Sequence, residues 1–166
     1  MHETVEYFAY GSNLSEKQMK NRGITVIDTE IAELPGWKLA FTIYSDTWDG
    51  GVGDIIPDPE AKVEGVVYTM PAENLKNLDH YEGRNVEDNL EVGMYRRQYL
   101  PVKKADGWET VLTYLVNRTI EYKSTVDIKP SKSYLKTIIL GAKKHGLSEE
   151  YLDQLKNIEY EGCSTE

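Results

Sequence analysis

The sequence predicts an α+β fold whose many strands can curl into a small barrel-like sheet. Three observations predict it. Short β-branched and aromatic runs recur from Val5 to Asn117, with short helical segments set between them. Two helical segments close the chain. The aromatic set is lopsided, with 12 Tyr against 3 Trp and 2 Phe, which suits a half-polar interior.

The elements follow in order. Val5–Tyr10 reads as a strand that stops at Gly11-Ser12-Asn13. Ser15 opens a short helix with a capping box to Gln18, ending near Gly23. Ile24–Leu34 and Trp37–Tyr44 read as two strands separated by a Pro35-Gly36 turn. Thr47–Gly53 reads as a loop, Ile55–Pro57 as a short strand piece, and Lys62–Met70 as a clearer strand. Pro71 sits at the first position of a helix whose Leu75, Leu78 and Tyr81 form an apolar stripe up to Gly83. Arg84–Gly93 is a polar, acidic loop. Tyr95–Lys104 and Trp108–Asn117 form a hairpin around Ala105-Asp106-Gly107. Ser131–His145 is a helix closed by Gly146, and Ser148–Ile158 is a second one with acids in its first turn.

The chain has 166 residues, which fits one domain over 1–166 that ends in a flexible polar tail at 161–166. A chain of this size buries roughly 68–70% of its unfolded surface and needs no metal or disulfide to fold. Acidic residues number 28 and basic residues 19, for a net charge of −9, which argues against a nucleic-acid partner. The single cysteine, Cys163, allows neither an internal disulfide nor a cysteine zinc site. His2, His80 and His145 show no metal-ligand spacing. Met1–Glu6 lacks the basic start and apolar run of a signal peptide, and stretches such as Thr137–Ala142 are far short of a membrane span. A cytoplasmic protein without a membrane partner is expected.

Three segments carry candidate chemistry. At Tyr7–Leu14 a strand runs into a Gly-Ser-Asn turn before a helix, where backbone N–H groups can form an anion-binding concavity. An ordinary strand-to-helix turn gives the same pattern. Trp48–Gly53 clusters glycines that allow close approach of backbone or ligand, as a flexible loop with one anchoring Trp also would. In Leu78–Gly83, Glu82 ends a helix that Gly83 caps. The helix dipole disfavours a charge there by about 0.3–1 kcal/mol, and partial burial would raise its pKa further. Such a Glu can accept a proton and return it. It is also one acid among 28.

Together these segments resemble the gamma-glutamylcyclotransferase family. The likeness runs from Tyr7 to Tyr160 and starts with Tyr7-Phe8-Ala9-Tyr10-Gly11-Ser12-Asn13-Leu14. It continues in Thr47–Gly51, Glu64–Tyr68, Leu78–Gly83 and Gly93-Met94-Tyr95. Pro130–Tyr151 is similar to the animal members in particular, while Asn85–Glu91 is longer and more acidic than in those enzymes. The resemblance implies a mixed sheet curled into a barrel with helices packed outside. It implies release of 5-oxoproline and a free amine from a gamma-glutamyl amine, with Glu82 as the catalytic acid and base. The substrate-binding loop falls on Tyr7, Phe8, Ala9, Tyr10, Gly11, Ser12 and Asn13, with a further tyrosine at Tyr134. No cofactor or metal is expected, and a homodimer through the last helices is compatible with the family. Three substrates remain open beside the simple dipeptide: gamma-glutamyl-lysine, glutathione and a gamma-glutamyl-protected biosynthetic intermediate. A non-catalytic small-molecule binding module is the other alternative.

Overall fold

Strand β1 (Thr4–Ala9) leads through a 3-10 turn (Ser12–Leu14) into helix α1 (Glu16–Asn21). The structure is a computed structural model and describes residues 3–119 and 127–162. Two long strands follow, β2 (Asp28–Ser45) and β3 (Gly50–Pro71), and then a 3-10 turn (Ala72–Asn74) and helix α2 (Leu75–Tyr81). A small hairpin of β4 (Val86–Glu87) and β5 (Leu90–Glu91) precedes a larger one of β6 (Tyr95–Lys104) and β7 (Gly107–Val116). Helices α3 (Lys132–His145) and α4 (Glu149–Lys156) complete the order.

Five strands close a barrel in the order β1-β3-β2-β6-β7. Neighbours are antiparallel, except that β1 meets β7 in parallel at Tyr7 and Leu112. The barrel is therefore mixed, and closure removes the exposed edges that an open sheet would leave.

Alternation along the strands builds two cores. Tyr7, Tyr68, Leu112 and Tyr114 point to one side, where Tyr134, Ile138 and Ala142 of α3 and Tyr151 and Leu152 of α4 cover them. Phe8, Leu34, Ile55, Val67, Val102 and Val111 point the other way and pack among strand residues, filling the barrel. Buried Asp54 of β3 ties this barrel together. It accepts hydrogen bonds from the Thr42 hydroxyl at 2.6 Å and the Val116 N–H at 3.0 Å, and it pairs with Arg118.

Several local expectations need correction: Ile55–Pro57 and Lys62–Met70 are parts of one strand, β3, and Pro71 ends that strand while α2 starts at Leu75. Pro35-Gly36 is not a turn: β2 pairs with β3 from Asp28 opposite Thr69 to Ser45 opposite Gly50, with a register shift between Pro35 and Trp37. Proline lacks an N–H donor, and a bulge absorbs that loss without ending the strand. Gly50–Gly53 belong to β3 rather than to a loop, because the chain at Ile128–Lys129 crosses directly over them. A Cβ at Gly51 would lie 1.9 Å from the Ile128 carbonyl oxygen, so only glycine fits. Arg84–Gly93 is not plain loop but holds the β4–β5 hairpin. The helix ends match expectation: Ser15, Ser131 and Ser148 cap α1, α3 and α4, and Gly146 closes α3 with φ +80°.

Candidate active site

The last turn of α2 sets Glu82. Gly83, at φ +68°, donates its N–H to the His80 carbonyl at 3.1 Å, and the Arg84 N–H donates to the Asp79 carbonyl at 2.9 Å. This pair of bonds ends the helix and leaves Glu82 as its cap residue. The half-buried Glu82 carboxyl is pushed up to about 7. Burial is the main cause and Asp79 adds to it, while Arg22 and a hydrogen bond from Tyr7 act against it. Desolvation, rather than the helix dipole expected from sequence, leads among the causes.

The loop after β1 meets this carboxyl. The Tyr68 hydroxyl donates to the Asn13 carbonyl at 2.7 Å, and the His145 Nε2 lies 2.9 Å from the Leu14 carbonyl, so the loop is held from β3 and α3. Asn13, only 3% exposed, donates from Nδ2 to Glu82 Oε1 at 3.0 Å and to the Tyr7 hydroxyl at 3.1 Å. Its Oδ1 accepts from Gln18 Nε2 and from Arg22 Nη1, each at 3.0 Å. The expected capping box is therefore half made. The Gln18 N–H does bond the Ser15 hydroxyl at 3.2 Å, but the Gln18 side chain turns to Ser12 and Asn13 instead.

Tyrosines line the rest. A cavity of about 820 Å³ is bounded by Tyr7, Tyr10, Tyr44, Tyr81, Tyr95, Tyr114 and Tyr134, seven of the 12 in the chain. Tyr10 donates its hydroxyl hydrogen to the Tyr114 carbonyl at 2.6 Å, and Tyr95 donates to the Gly53 carbonyl at 2.5 Å. Tyr134 accepts the Gly53 N–H at 2.7 Å, and its own hydrogen has no acceptor among the described residues. Burial raises the Tyr7, Tyr10, Tyr95 and Tyr134 hydroxyls, so all four stay protonated. Trp48 lies edge-on to Tyr134, with ring centroids 5.0 Å apart.

Of the residues expected from sequence, Tyr7, Tyr10, Gly11, Ser12, Asn13, Glu82 and Tyr134 share this one cavity. Phe8 and Ala9 do not line it. Both are fully buried, Phe8 in the barrel and Ala9 under the helices. Sequence reasoning missed Gln18, Arg22, Tyr44, Tyr81, Tyr95 and Tyr114 as cavity residues. Two of them carried a signal, Tyr81 within Leu78–Gly83 and Tyr95 as the end of Gly93-Met94-Tyr95. Behind Glu82, Asp79 accepts from Arg97 Nε at 3.0 Å, from Arg84 Nη1 at 3.3 Å and from the Tyr114 hydroxyl. Burial opposes its charge, but the hydrogen bonds from Arg97 and Tyr114 prevail and hold its carboxyl below the ordinary value. Among the described residues, no group of three or more His, Cys, Asp or Glu is arranged for a metal ion, and no helix is long and apolar enough to cross a membrane. Cys163 lies outside the described residues.

The fold and site define a mixed-barrel protein with a tyrosine-lined cavity and one half-buried carboxyl of raised pKa in its wall. Comparison with known proteins gives the family. Residues 62–155 match the AIG2-like family model. Gamma-glutamylcyclotransferase of Mus musculus is 36% identical over 162 residues, spanning 95% of this chain and 80% of the mouse protein. The Homo sapiens protein of the same name is 37% identical over the same shares. A solved gamma-glutamyl cyclotransferase structure matches with a TM-score of 0.79 and 31% identity, covering 99% of this chain and 93% of that one. The chain belongs to the gamma-glutamylcyclotransferase family.

Proposed function

We propose that the protein releases 5-oxoproline and a free amine or amino acid from a gamma-glutamyl amine, with Glu82 as general base and then general acid. The observation that carries this reading is the Glu82 carboxyl at about 7, set in a tyrosine-lined cavity beside the Gly11–Asn13 loop. A carboxyl near neutrality is suited to take a proton and give it back.

The chemistry runs inside one substrate molecule. Glu82 takes a proton from the substrate α-ammonium. The freed nitrogen attacks the γ-carbonyl carbon and forms the new C–N bond of a five-membered lactam. The bond from that carbon to the leaving nitrogen then breaks as the proton held by Glu82 goes to that nitrogen. The second proton, shed by the attacking nitrogen as it becomes the lactam N–H, passes by way of Glu82 to the departing amine, which leaves as an ammonium. No water is consumed and no cofactor takes part in these steps. Nucleophile and electrophile are already joined, so a cavity that folds the glutamyl arm supplies the proximity term.

The remaining groups fit the charges that develop. Gly11 and Ser12 line the cavity, where the Gly11 N–H can serve a carboxylate or oxyanion, whereas the Ser12 N–H is directed to the Tyr134 hydroxyl. The Tyr134 hydroxyl offers its hydrogen, whereas the Tyr10 hydrogen is already held by the Tyr114 carbonyl. Such local donors serve an anionic substrate in a chain of net charge −9.

The test is 5-oxoproline release from gamma-glutamyl-alanine by wild type and by Glu82→Gln. A folded Glu82→Gln protein is expected to lose roughly 10²–10⁴-fold in turnover. Near-wild-type turnover would refute the role given to Glu82. The same assay across gamma-glutamyl-lysine and glutathione identifies the leaving amine.

A further inference from the structure

An asparagine amide can sit two ways round, and the choice matters beside a carboxyl group. One orientation donates a hydrogen bond to the acid, and the other faces it with a lone pair. In Asn13 the choice is forced from the far side. Arg22 Nη1 lies 3.0 Å from Oδ1, and a guanidinium has no acceptor, so the atom it meets must be oxygen. Gln18 Nε2 fills the second lone pair at 3.0 Å and bonds the Ser12 hydroxyl at 2.6 Å with its other hydrogen. Both hydrogens of Asn13 Nδ2 are then directed to Tyr7 and to Glu82 Oε1. A flipped amide would set N–H against N–H at Arg22 and oxygen against oxygen at Glu82.

We propose that Arg22, with Gln18, is a positioning residue: it locks the Asn13 amide so that Asn13 holds Oε1 of Glu82 and leaves Oε2 to carry the proton. The proposal rests on the acid–base reading of Glu82. It also assigns the Asn13 side chain to the acid rather than to the substrate. Arg22 is itself held, with its guanidinium 5.0 Å from the centre of the Tyr81 ring.

Arg22 acts on Glu82 by charge as well. The groups that face the carboxyl are Arg22 at the C-terminal cap of α1, Tyr7 from β1 and Asp79 from α2, with Tyr95 of β6 and Tyr134 of α3 across the cavity. Asp79 is paired to Arg97 and Arg84, and Lys17 and Asp46 stand elsewhere on the cavity wall. Among these, Arg22 is the group that lowers the Glu82 pKa by its charge, against burial and Asp79. Its removal raises that pKa and moves the acid limb of the rate profile to higher pH.

The experiment measures kcat, KM and the pH profile with gamma-glutamyl-alanine for wild type, Arg22→Met, Arg22→Lys, Gln18→Ala and Glu82→Gln, each with its melting temperature. Arg22→Met is expected to lose roughly 10- to 100-fold in kcat, with little change in KM and an acid limb shifted upward. Arg22→Lys keeps the charge and restores the limb with part of kcat. Gln18→Ala lowers kcat with the limb unmoved, and it decides the matter if Arg22→Met does not fold. Wild-type kcat and an unshifted limb in folded Arg22→Met, or an effect confined to KM, would overturn the positioning role. If Glu82→Gln is inactive in that case, only this proposal fails. If Glu82→Gln is active, the acid–base reading fails with it.

Discussion

The Gly53 N–H donates to the Tyr134 hydroxyl oxygen at 2.7 Å, which fixes a helix tyrosine over the start of β3, 81 residues earlier in the chain. A Cβ on Gly53 would lie 3.0 Å from that oxygen, and one on Gly11 would lie 3.2 Å from it. The two glycines thus form a slot for one hydroxyl. Because the oxygen accepts from backbone, the hydrogen is aimed elsewhere, and the cavity is where a ligand would meet it.

Tyr134→Phe removes that hydrogen and is expected to reduce kcat by roughly 10²–10³-fold, the range for loss of one oxyanion donor. It also strands the Gly53 N–H, so stability falls by about 1–3 kcal/mol. Tyr10→Phe is the comparison, since the Tyr10 hydrogen is spent on the Tyr114 carbonyl. Its rate effect should be clearly smaller. Equal losses of kcat in the two variants would show that donor availability is not what matters.

The acid at 82 predicts a stability signature independent of turnover. Its pKa is raised from 4.5 in the unfolded chain to about 7 in the fold. Between those values the folded state binds more protons than the unfolded one, so this group's contribution is present in full below about 4.5 and is lost as pH rises through about 7. Glu82→Gln keeps a neutral side chain at every pH. Its melting temperature relative to wild type is therefore expected to rise across that window. A difference that stays flat with pH would mean the carboxyl is not desolvated in the folded protein.

Some of this was legible in the sequence, and the reason is locality. The β6–β7 hairpin, the serine caps of α1, α3 and α4, and Gly146 at the end of α3 depend on residues within a turn of one another. Glu82 was legible for the same reason, as the residue before a capping glycine. The unbroken course of β2 was not, because whether Pro35 ends a strand or bulges within it depends on β3 lying alongside. Gln18 was misread because its bond to Asn13 competes with a local cap, and the site wins. Tyr95 and Tyr114 reach the cavity through barrel closure, which no spacing along the chain reveals.

Asp54 is the test of that closure. It is fully buried and holds Thr42 of β2, Val116 at the end of β7 and Arg118 beyond it. Removing one partner of a buried ion pair leaves an uncompensated charge and costs about 3–5 kcal/mol. Arg118→Met strands the buried Asp54 carboxylate and should lose that much by denaturant unfolding, whereas Asp54→Ala leaves a guanidinium that is 30% exposed and reached by water, and should lose about 1–3 kcal/mol through the unpaired Thr42 hydroxyl and Val116 N–H. A loss below about 1 kcal/mol for Asp54→Ala would assign barrel closure to packing alone.

Glu64 ties the outer layer on. It is 4% exposed on β3, and it accepts the Ser148 N–H at 3.0 Å and the Ser148 hydroxyl at the start of α4. The carboxylate sits at a helix N-terminus, where backbone donors and the dipole both favour negative charge. Lys62, 3.8 Å away, is half exposed and adds little. Glu64→Leu keeps the volume but deletes both acceptors, so α4 loses its anchor and the Ser148 N–H and hydroxyl lose their partner. Stability is expected to fall by about 1.5–3 kcal/mol, the range for hydrogen bonds to a charged group. Turnover should be unchanged at temperatures where the variant is folded, because neither Glu64 nor Ser148 touches the cavity. A variant of full stability would show that the apolar contacts of Tyr151, Leu152 and Leu155 hold α4 without the carboxylate.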